Sequence, residues 1–185
     1  MSMRSVVALA LALSCCHGRA AAQDWLKLKM GDAAPKLEVK EFIKGEPVKQ
    51  FEKGKVYVVE CWATWCGPCR ESIPHLTGLQ KKYKDVTFIG VAVLEGDQKV
   101  VAPFVKKMGA KLGYRVALDA VPAGADREGG KVVQNWMIAS GQYSPPTSFV
   151  IDGEGRVAWM GRPMELEEPL KRLVAAKGRG SAKEK

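Results

Sequence analysis

Two cysteines separated by two residues form the part of this sequence best suited to chemistry. Cys66 and Cys69 follow an apolar run and precede a segment with helical spacing. Such a dithiol can close a small ring, and the attacking species in disulfide exchange is the thiolate. A helix N-terminus favours negative charge because its first N–H groups have no partner within the helix. We therefore predict that Cys66 is the exposed attacking thiol and Cys69 the buried resolving thiol. Pro68 fits the first helical turn, where no N–H is needed.

The same thiols could instead form a structural pair or half of a zinc site. A zinc site needs three or four ligands, usually from a second Cys-x-x-Cys or a histidine pair. The remaining candidates form no second pair of that kind; they are Cys15, Cys16, Cys61, His17 and His75. The sequence therefore favours redox chemistry and predicts neither a metal site nor a cofactor.

The length and charge of the chain exclude some other classes of protein. Its 185 residues are enough for one domain with its own hydrophobic core. The formal net charge of +9 is spread along the chain, without a stripe of Lys and Arg interleaved with aromatic residues. We therefore expect no nucleic-acid binding.

The N-terminus has the pattern of a targeting segment. Arg4 precedes an apolar run over residues 6–13, and small residues at 20–22 precede Gln23. This pattern predicts a signal peptide over residues 1–22, and hence export to a periplasmic or extracellular, oxidising compartment. A lipid anchor at Cys15 or Cys16, or retention of the segment, are the alternatives. No later segment is apolar enough to span a membrane.

The elements that must position the dithiol follow from the hydrophobic pattern. Residues 56–62 form a nearly continuous apolar run, which predicts a strand buried on both faces, with Cys61 as a small core residue. Strands alternate with helices after it, which predicts parallel pairing in an α/β fold. The predicted strands lie at 37–42, 47–51, 86–94, 114–118, 148–151 and 156–160, and the predicted helices at 69–83, 98–108, 130–140 and 165–176.

Three of these segments carry more specific predictions. Residues 37–42 and 47–51 alternate around a Lys-Gly pair and predict an N-terminal β-hairpin. Trp136 and Met137 lie at helical spacing, which favours the core over the alternative of a substrate groove. Residues 177–185 have no apolar side chain larger than alanine and predict a disordered basic tail.

The segment Trp65-Cys66-Gly67-Pro68-Cys69 resembles the active-site motif of the thioredoxin superfamily. The wider run of residues 56–74 is similar to its secreted, TlpA-like (redoxin-type) branch, and the likeness extends over about residues 31–176. This resemblance implies a thioredoxin-like fold over residues 23–176, in which helices flank a central mixed β-sheet and the predicted hairpin is an N-terminal extension. It also implies a thiol-disulfide oxidoreductase that acts on disulfide-bearing protein substrates.

Glu60 interrupts the apolar strand six residues before Cys66. Burial of a carboxyl group near a thiol should raise its pKa toward neutrality. Thioredoxins have a buried acid at this position, so the resemblance implies that Glu60 passes a proton to or from Cys69. The alternative is that Glu60 turns to the sheet edge or pairs with a lysine.

The helix after the motif departs from the family pattern. TlpA-like proteins often have an acid three residues after the second cysteine, where this chain has Ser72. Glu71 lies one position earlier and would point elsewhere on the helix, so the role is not transferred to it. His75 is predicted to be a partly exposed helix residue.

A second diagnostic stretch contains Pro145, Pro146 and Thr147, just before a predicted strand. The resemblance implies that Pro146 is cis and lies against the cysteines, where nearby backbone groups can pair with an extended substrate. A trans turn away from the site is the alternative.

We also predict a rim around the dithiol. Trp62 and Trp65 would form its apolar part and contact partner chains, although bulky aromatic residues can instead cover the end of the sheet. The remaining predicted rim residues are Gly67, Pro68, Pro145 and Thr147.

The leading hypothesis is a monomer that reduces protein disulfides. Reduction is favoured over oxidation because the Gly-Pro insert between the cysteines resembles that of reducing thioredoxins. In an oxidising compartment such a reductant needs an upstream electron donor. Two alternatives remain open. Peroxiredoxins share the fold but use a Thr-x-x-Cys arrangement, and Thr64 is one residue too close to Cys66. A module that binds partners with an idle dithiol is the non-enzymatic alternative.

Overall fold

The computed structural model describes residues 27–181, with side chains as far as residue 176. The predicted signal peptide, with Cys15, Cys16 and His17, lies outside the described residues. No helix within the described range is long and apolar enough to cross a membrane.

A six-stranded mixed sheet forms the centre of the fold, as predicted. Its spatial order is β1-β4-β3-β2-β5-β6, in which β2, β3 and β4 are parallel to each other and the remaining pairs are antiparallel. The strands are β1 (Val39–Lys44), β2 (Val56–Trp62), β3 (Val86–Ala92), β4 (Arg115–Asp119), β5 (Thr147–Ile151) and β6 (Val157–Gly161).

Helices and a π-helical turn cover the two faces of this sheet. The helices are α1 (Gly67–Lys82), α2 (Val101–Met108) and α3 (Glu167–Ser181), and the π-helical turn is Val133–Met137. The three helices contribute to one hydrophobic core, which includes Ile73, Val105 and Leu170. The π-helical turn contributes Trp136 and Met137 to a second core on the opposite face, as favoured from their spacing.

Strand β2 supplies side chains to both cores, which explains its continuous apolar sequence. Val58 and Trp62 face the core under α1, whereas Val59 and Cys61 face the other core. Because alternate residues of a strand point to opposite faces, Glu60 lies on the α1 side of the sheet. Cys61 is a core residue, as predicted, and burial raises the pKa of its thiol well above the usual value.

The N-terminal extension differs from the predicted hairpin. Its first strand is present as β1, but it pairs with the sheet-edge strand β4, and residues 47–51 form no strand. Pro47 has no N–H to donate to a ladder. Phe51 instead packs against Tyr57 and Trp136, with ring centroids 5.0 Å and 5.9 Å apart. The second segment therefore contributes side chains to the core rather than hydrogen bonds to the sheet.

The C-terminal helix also extends further than predicted. It continues to Ser181, so residues 177–181 are helical rather than disordered. Residues 182–185 lie outside the described part of the chain. The sequence did not predict this extension, because Gly178 and Gly180 are poor helix formers and the stretch has no apolar face.

Candidate active site

Helix α1 begins at the dithiol. Cys66 is its N-cap, in extended backbone geometry, and its Sγ accepts a hydrogen bond from the backbone N–H of Cys69 at 3.2 Å. Pro68 lies in the first turn, as predicted. The sulfur of Cys66 therefore occupies the position at which a helix N-terminus stabilises negative charge.

The two cysteines form a disulfide, with an S–S distance of 2.06 Å and Cα atoms 5.2 Å apart. Cys69 is fully buried, and Cys66 exposes only 4% of its surface in this oxidised form. The predicted difference in exposure between the two therefore has the right direction but is small. Gly67 is half-buried and Pro68 is exposed beside them.

A loop after β3, Leu94 and Glu95, holds the segment that precedes Cys66. The Glu95 carboxylate accepts hydrogen bonds from the N–H and the hydroxyl of Thr64, at 2.6 Å and 2.9 Å. The indole N–H of Trp65 donates to the carbonyl oxygen of Leu94 at 3.0 Å. Leu94 has a φ of +55°, which is unusual for a residue other than glycine. This loop was not identified from the sequence, because its residues show no pattern apart from their position after a strand.

The two tryptophans of the predicted rim have different environments. Trp65 exposes 53% of its surface, so its predicted place at the rim stays open. Trp62 is fully buried and packs against Phe104, with ring centroids 5.5 Å apart. The prediction that Trp62 belongs to the rim is therefore wrong. It covers the end of the sheet, because its position in β2 directs it into the core beneath α1.

Glu60 is buried beneath α1, with 1% of its surface exposed. The hydroxyl of Tyr114 donates to its Oε2 at 2.7 Å and the hydroxyl of Ser72 donates to its Oε1 at 3.2 Å. Burial raises the pKa of this carboxyl group to about 7, and the two hydrogen bonds oppose the shift by favouring the charged form. Its partners are thus two hydroxyls, rather than the lysine or the sheet edge considered from the sequence.

Ser72 contacts both Glu60 and the backbone of Cys69. Its hydroxyl is also 3.0 Å from the carbonyl oxygen of Cys69. Glu71 is exposed, in agreement with the expectation that it points elsewhere on the helix, and His75 is half-buried. From the sequence, Ser72 was identified only as a departure from the family pattern. Tyr114 was not identified, because its position just before β4 gives no sign of its contact with Glu60.

The Pro145–Pro146 peptide bond is cis, as the resemblance implies. The carbonyl oxygen of Pro146 accepts a hydrogen bond from a guanidinium N–H of Arg162 at 3.2 Å. Thr147 and Pro145 are buried rather than exposed at a rim, and the Thr147 hydroxyl donates to the carbonyl oxygen of Ser144 at 3.1 Å. The two residues therefore support the turn instead of forming the outer rim.

A groove of about 360 Å³ runs beside the active-site motif. Pro68 and Ser72 of α1 line one side, Pro146 lies next to them, and Arg162 and Met164 line the other side. Arg162 and Met164 were not identified from the sequence, because only the fold brings the segment after β6 to this place. Among residues 27–181, no group of three or more His, Cys, Asp or Glu side chains could hold a metal ion.

A Cys-x-x-Cys pair at the N-terminus of a helix, on this fold, is the site of a thiol-disulfide oxidoreductase. Comparisons with known proteins agree. A family model described as Redoxin matches residues 29–176, and the chain belongs to that family. The protein is accordingly a thioredoxin-like enzyme of the thiol-disulfide oxidoreductase class.

Individual relatives fit this assignment. Thiol-disulfide oxidoreductase ResA from Bacillus thuringiensis subsp. konkukian (strain 97-27) is 31% identical over 156 residues, which cover 80% of this chain and 80% of that protein. Protein FixW from Rhizobium leguminosarum is 29% identical over 160 residues, covering 85% of this chain and 72% of that protein. A thiol-disulfide isomerase from Corynebacterium glutamicum shares the fold, with a TM-score of 0.63, 22% identity, and coverage of 76% of this chain and 96% of that one.

Proposed function

We propose that this enzyme reduces disulfide bonds of other proteins outside the cytoplasm, with Cys66 as the attacking thiol and Cys69 as the resolving thiol. One observation carries the proposal. The sulfur of Cys66 caps helix α1 and accepts the N–H of Cys69, which is fully buried. This arrangement favours a thiolate at Cys66 and keeps Cys69 as a thiol until a mixed disulfide has formed.

The reaction proceeds through two exchanges. The Cys66 thiolate attacks one sulfur of the substrate disulfide, and the other substrate sulfur leaves as a thiolate that takes a proton from water. Cys69 then gives up its proton and attacks Cys66, which releases the second substrate thiolate and closes the Cys66–Cys69 bond. The substrate gains two electrons and the enzyme dithiol loses them.

Glu60 is proposed as the base that takes the proton of Cys69. A general base is most effective when its pKa lies near the operating pH, and burial brings the pKa of Glu60 to about 7. The Ser72 hydroxyl oxygen lies 3.2 Å from Oε1 of Glu60 and 3.0 Å from the carbonyl oxygen of Cys69, which links the carboxyl group to the backbone of the resolving cysteine. Pro146 lies beside the same groove and is proposed to place the substrate backbone against the dithiol.

The setting of the reaction is part of the proposal. The targeting pattern of residues 1–22 supports export, with cleavage after the segment rather than lipidation of Cys15 or Cys16. In an oxidising compartment a dithiol needs an upstream electron donor to remain a reductant. Residues 23–176 are proposed as the working domain.

Trapping of mixed disulfides tests the assignment of the two cysteines. We expect Cys69→Ser to accumulate mixed disulfides with exported proteins, because the resolving thiol is missing. Cys66→Ser is the matched control and should trap none, because it lacks the attacking thiol. The adducts are separated by non-reducing electrophoresis and identified by mass spectrometry. Equal trapping by both variants would refute the assignment.

The direction of the reaction is tested by the reduction potential of the Cys66–Cys69 pair. A reductant should have a potential near that of thioredoxin, about −270 mV. Equilibration with glutathione or dithiothreitol, followed by thiol labelling, measures it. A potential of about −120 mV, like that of strong oxidants, would mean that the enzyme oxidises its substrates instead.

Peroxide reduction receives less support from the site. The hydroxyl of Thr64 is engaged with Glu95 and so does not face the sulfur of Cys66 as a donor for peroxide. Peroxide consumption with dithiothreitol as the sole reductant is expected to stay at the level of free thiol.

A further inference from the structure

Glu60 is almost completely buried. A base that takes a proton from Cys69 in each cycle must also release that proton to solvent. Ser72 is itself buried, with 1% of its surface exposed, but it contacts Glu60 and also borders the groove beside Pro146. The other hydrogen-bond partner of Glu60, Tyr114, is buried and is not among the residues that line this groove. A route for the proton between Glu60 and water therefore passes through one side chain.

We propose that Ser72 is a proton-relay residue that connects the carboxyl group of Glu60 to water in the groove. This inference rests on the proposed function and deepens it. Ser72 acts through Glu60 rather than on a sulfur atom, so its role is to position and to pass the proton. The motif identifies the cysteines, but it gives no role to this serine.

The Ser72 hydroxyl can satisfy Glu60 in both of its protonation states. When Glu60 is ionised, Ser72 donates to Oε1 and Tyr114 donates to Oε2. When Oε1 carries a proton, it can donate to the Ser72 oxygen, and the Ser72 hydroxyl can turn to the carbonyl oxygen of Cys69 at 3.0 Å. Neither state leaves a buried polar group unpaired, which keeps the barrier between them low.

The proton balance of the cycle is then complete. As the Cys66–Cys69 bond forms, the proton of Cys69 passes to Glu60. The protonated carboxyl then gives its proton to the Ser72 oxygen, while the Ser72 hydroxyl, turned from the carbonyl oxygen of Cys69 toward the groove, gives its own proton to a water there. Glu60 ends ionised and Ser72 ends as an unchanged hydroxyl. Reduction by the electron donor runs these steps in reverse, because Cys69 then leaves as a thiolate and takes a proton from Glu60.

The groups around Glu60 allow this pathway. Tyr114, just before β4, has a pKa well above its usual value because of burial and the nearby carboxyl, so it stays a donor. Cys61 neighbours Glu60 in β2, and its thiol also stays protonated. From α1, Ser72 contacts Glu60. The charged side chains that line the groove are Glu71, Arg162 and Glu165.

Titration of Glu60 in the oxidised protein tests the relay without any substrate. Protein labelled with ¹³C at the glutamate carboxyl carbons is titrated by NMR, and Glu60→Gln assigns the signal. We expect Ser72→Ala to move the midpoint of Glu60 upward by about one pH unit, because the ionised form loses a hydrogen bond. Ser72→Cys, which is close in size but a weaker donor, should give an intermediate midpoint and shows that packing alone is not responsible.

Ser148→Ala is the matched control. Ser148 is the cross-strand partner of Glu60 in β5 and is fully buried, but its hydroxyl has no hydrogen-bond partner within the described part of the chain. Its removal should leave the midpoint of Glu60 unchanged. A shift of equal size in Ser148→Ala and Ser72→Ala, or no shift in Ser72→Ala, would overturn the proposal.

Exchange kinetics then test the transfer of the proton itself. Reduced protein is mixed with a small aromatic disulfide, and the closing of the Cys66–Cys69 bond is followed by tryptophan fluorescence across pH 5–9. We expect Ser72→Ala to slow this step about tenfold and to move its pH profile upward, with the attack by Cys66 unchanged. A slower step with an unmoved pH profile contradicts the relay. Wild-type protein that fails to exchange at all refutes the proposed function, whereas the titration still decides the relay.

Discussion

Burial and hydrogen bonding shift the pKa of Glu60 in opposite directions, and burial has the larger effect. Removal from water favours the protonated form, while the hydroxyls of Tyr114 and Ser72 favour the charged form, and the resulting pKa is about 7. A buried aliphatic side chain would pack in the same place with less penalty. The acid is therefore a feature of the chemistry of the site rather than of the stability of the fold.

This balance predicts a pH dependence of stability. The pKa of Glu60 is about 7 in the folded protein against an ordinary value of 4.5. Its contribution to stability is therefore fully present below about pH 4.5, is lost as the pH rises through 7, and stays lost at higher pH. We expect the free energy of unfolding of the wild type to fall from pH 5 to pH 8 by up to about 3 kcal/mol more than that of Glu60→Gln.

Urea unfolding of the two oxidised proteins at both pH values measures this difference. The buried Asp119 and the remaining titratable groups are common to both proteins, so their contributions cancel in the comparison. Equal pH dependence of the two proteins would show that Glu60 keeps an ordinary pKa in the fold.

At the scale of elements, β3 must approach β2 and β4 closely for the site to form. Gly90 in β3 is paired with Glu60 in β2. A Cβ atom at Gly90 would lie 2.8 Å from a ring carbon of Tyr114 and 2.9 Å from the indole nitrogen of Trp62. The absence of a side chain at this position thus allows Tyr114 to reach the carboxyl group of Glu60.

Gly90→Ala is expected to destabilise the protein by about 1–3 kcal/mol, because two large buried side chains must shift. Gly78→Ala is the matched control. Gly78 lies in α1, where a Cβ meets nothing within 4 Å, so alanine should stabilise the helix by about 0.5–1 kcal/mol. Chemical unfolding measures both variants, and destabilisation of the two by the same amount would contradict the close approach.

Helix α1 has two roles, because its N-terminus carries the dithiol and one of its faces packs against the sheet. Its first turn holds the dithiol, and Ile73, Leu76 and Leu79 on one face pack against the sheet. Lys81 and Lys82 lie in its last turn, where the helix dipole favours positive charge. The same packing that fixes the helix therefore fixes the position of the Cys66 sulfur at its N-terminus.

At the scale of the whole molecule, both faces of the sheet are covered by the chain itself. The large exposed apolar side chains do not belong to one element; they are Met30, Trp65, Val100, Tyr143 and Met164. Trp65 adjoins the dithiol, Tyr143 precedes the cis-proline turn, and Met164 lines the groove. We expect these three to contact substrates in passing rather than to form a permanent interface.

We accordingly expect the protein to be a monomer in solution. Light scattering coupled to size exclusion should give the molar mass of one chain, both for the wild type and for Trp65→Ser. A dimer of the wild type that Trp65→Ser converts to a monomer would show that the face around the dithiol is a subunit interface.

The sequence by itself determined the chemistry and the central architecture. Cys66 and Cys69 lie three positions apart at the start of a helix, and both their reactivity and their geometry depend on local backbone structure. The buried strand β2 and the alternation of strands and helices are likewise visible as hydrophobic periodicity. The cis bond before Pro146 came from the resemblance to thioredoxins, not from the periodicity.

Only the tertiary structure decided what surrounds the dithiol. Tyr114 and Ser72 reach Glu60 across 54 and 12 positions of sequence, and Glu95 reaches Thr64 across 31. Trp62 and Trp65 are indistinguishable as aromatic neighbours of the motif, yet one is buried and the other exposed, because strand β2 ends between them. The pairing of β1 with β4, and the absence of a strand at residues 47–51, depend on which edge of the sheet is free. These choices follow from packing between distant segments, which no local pattern records.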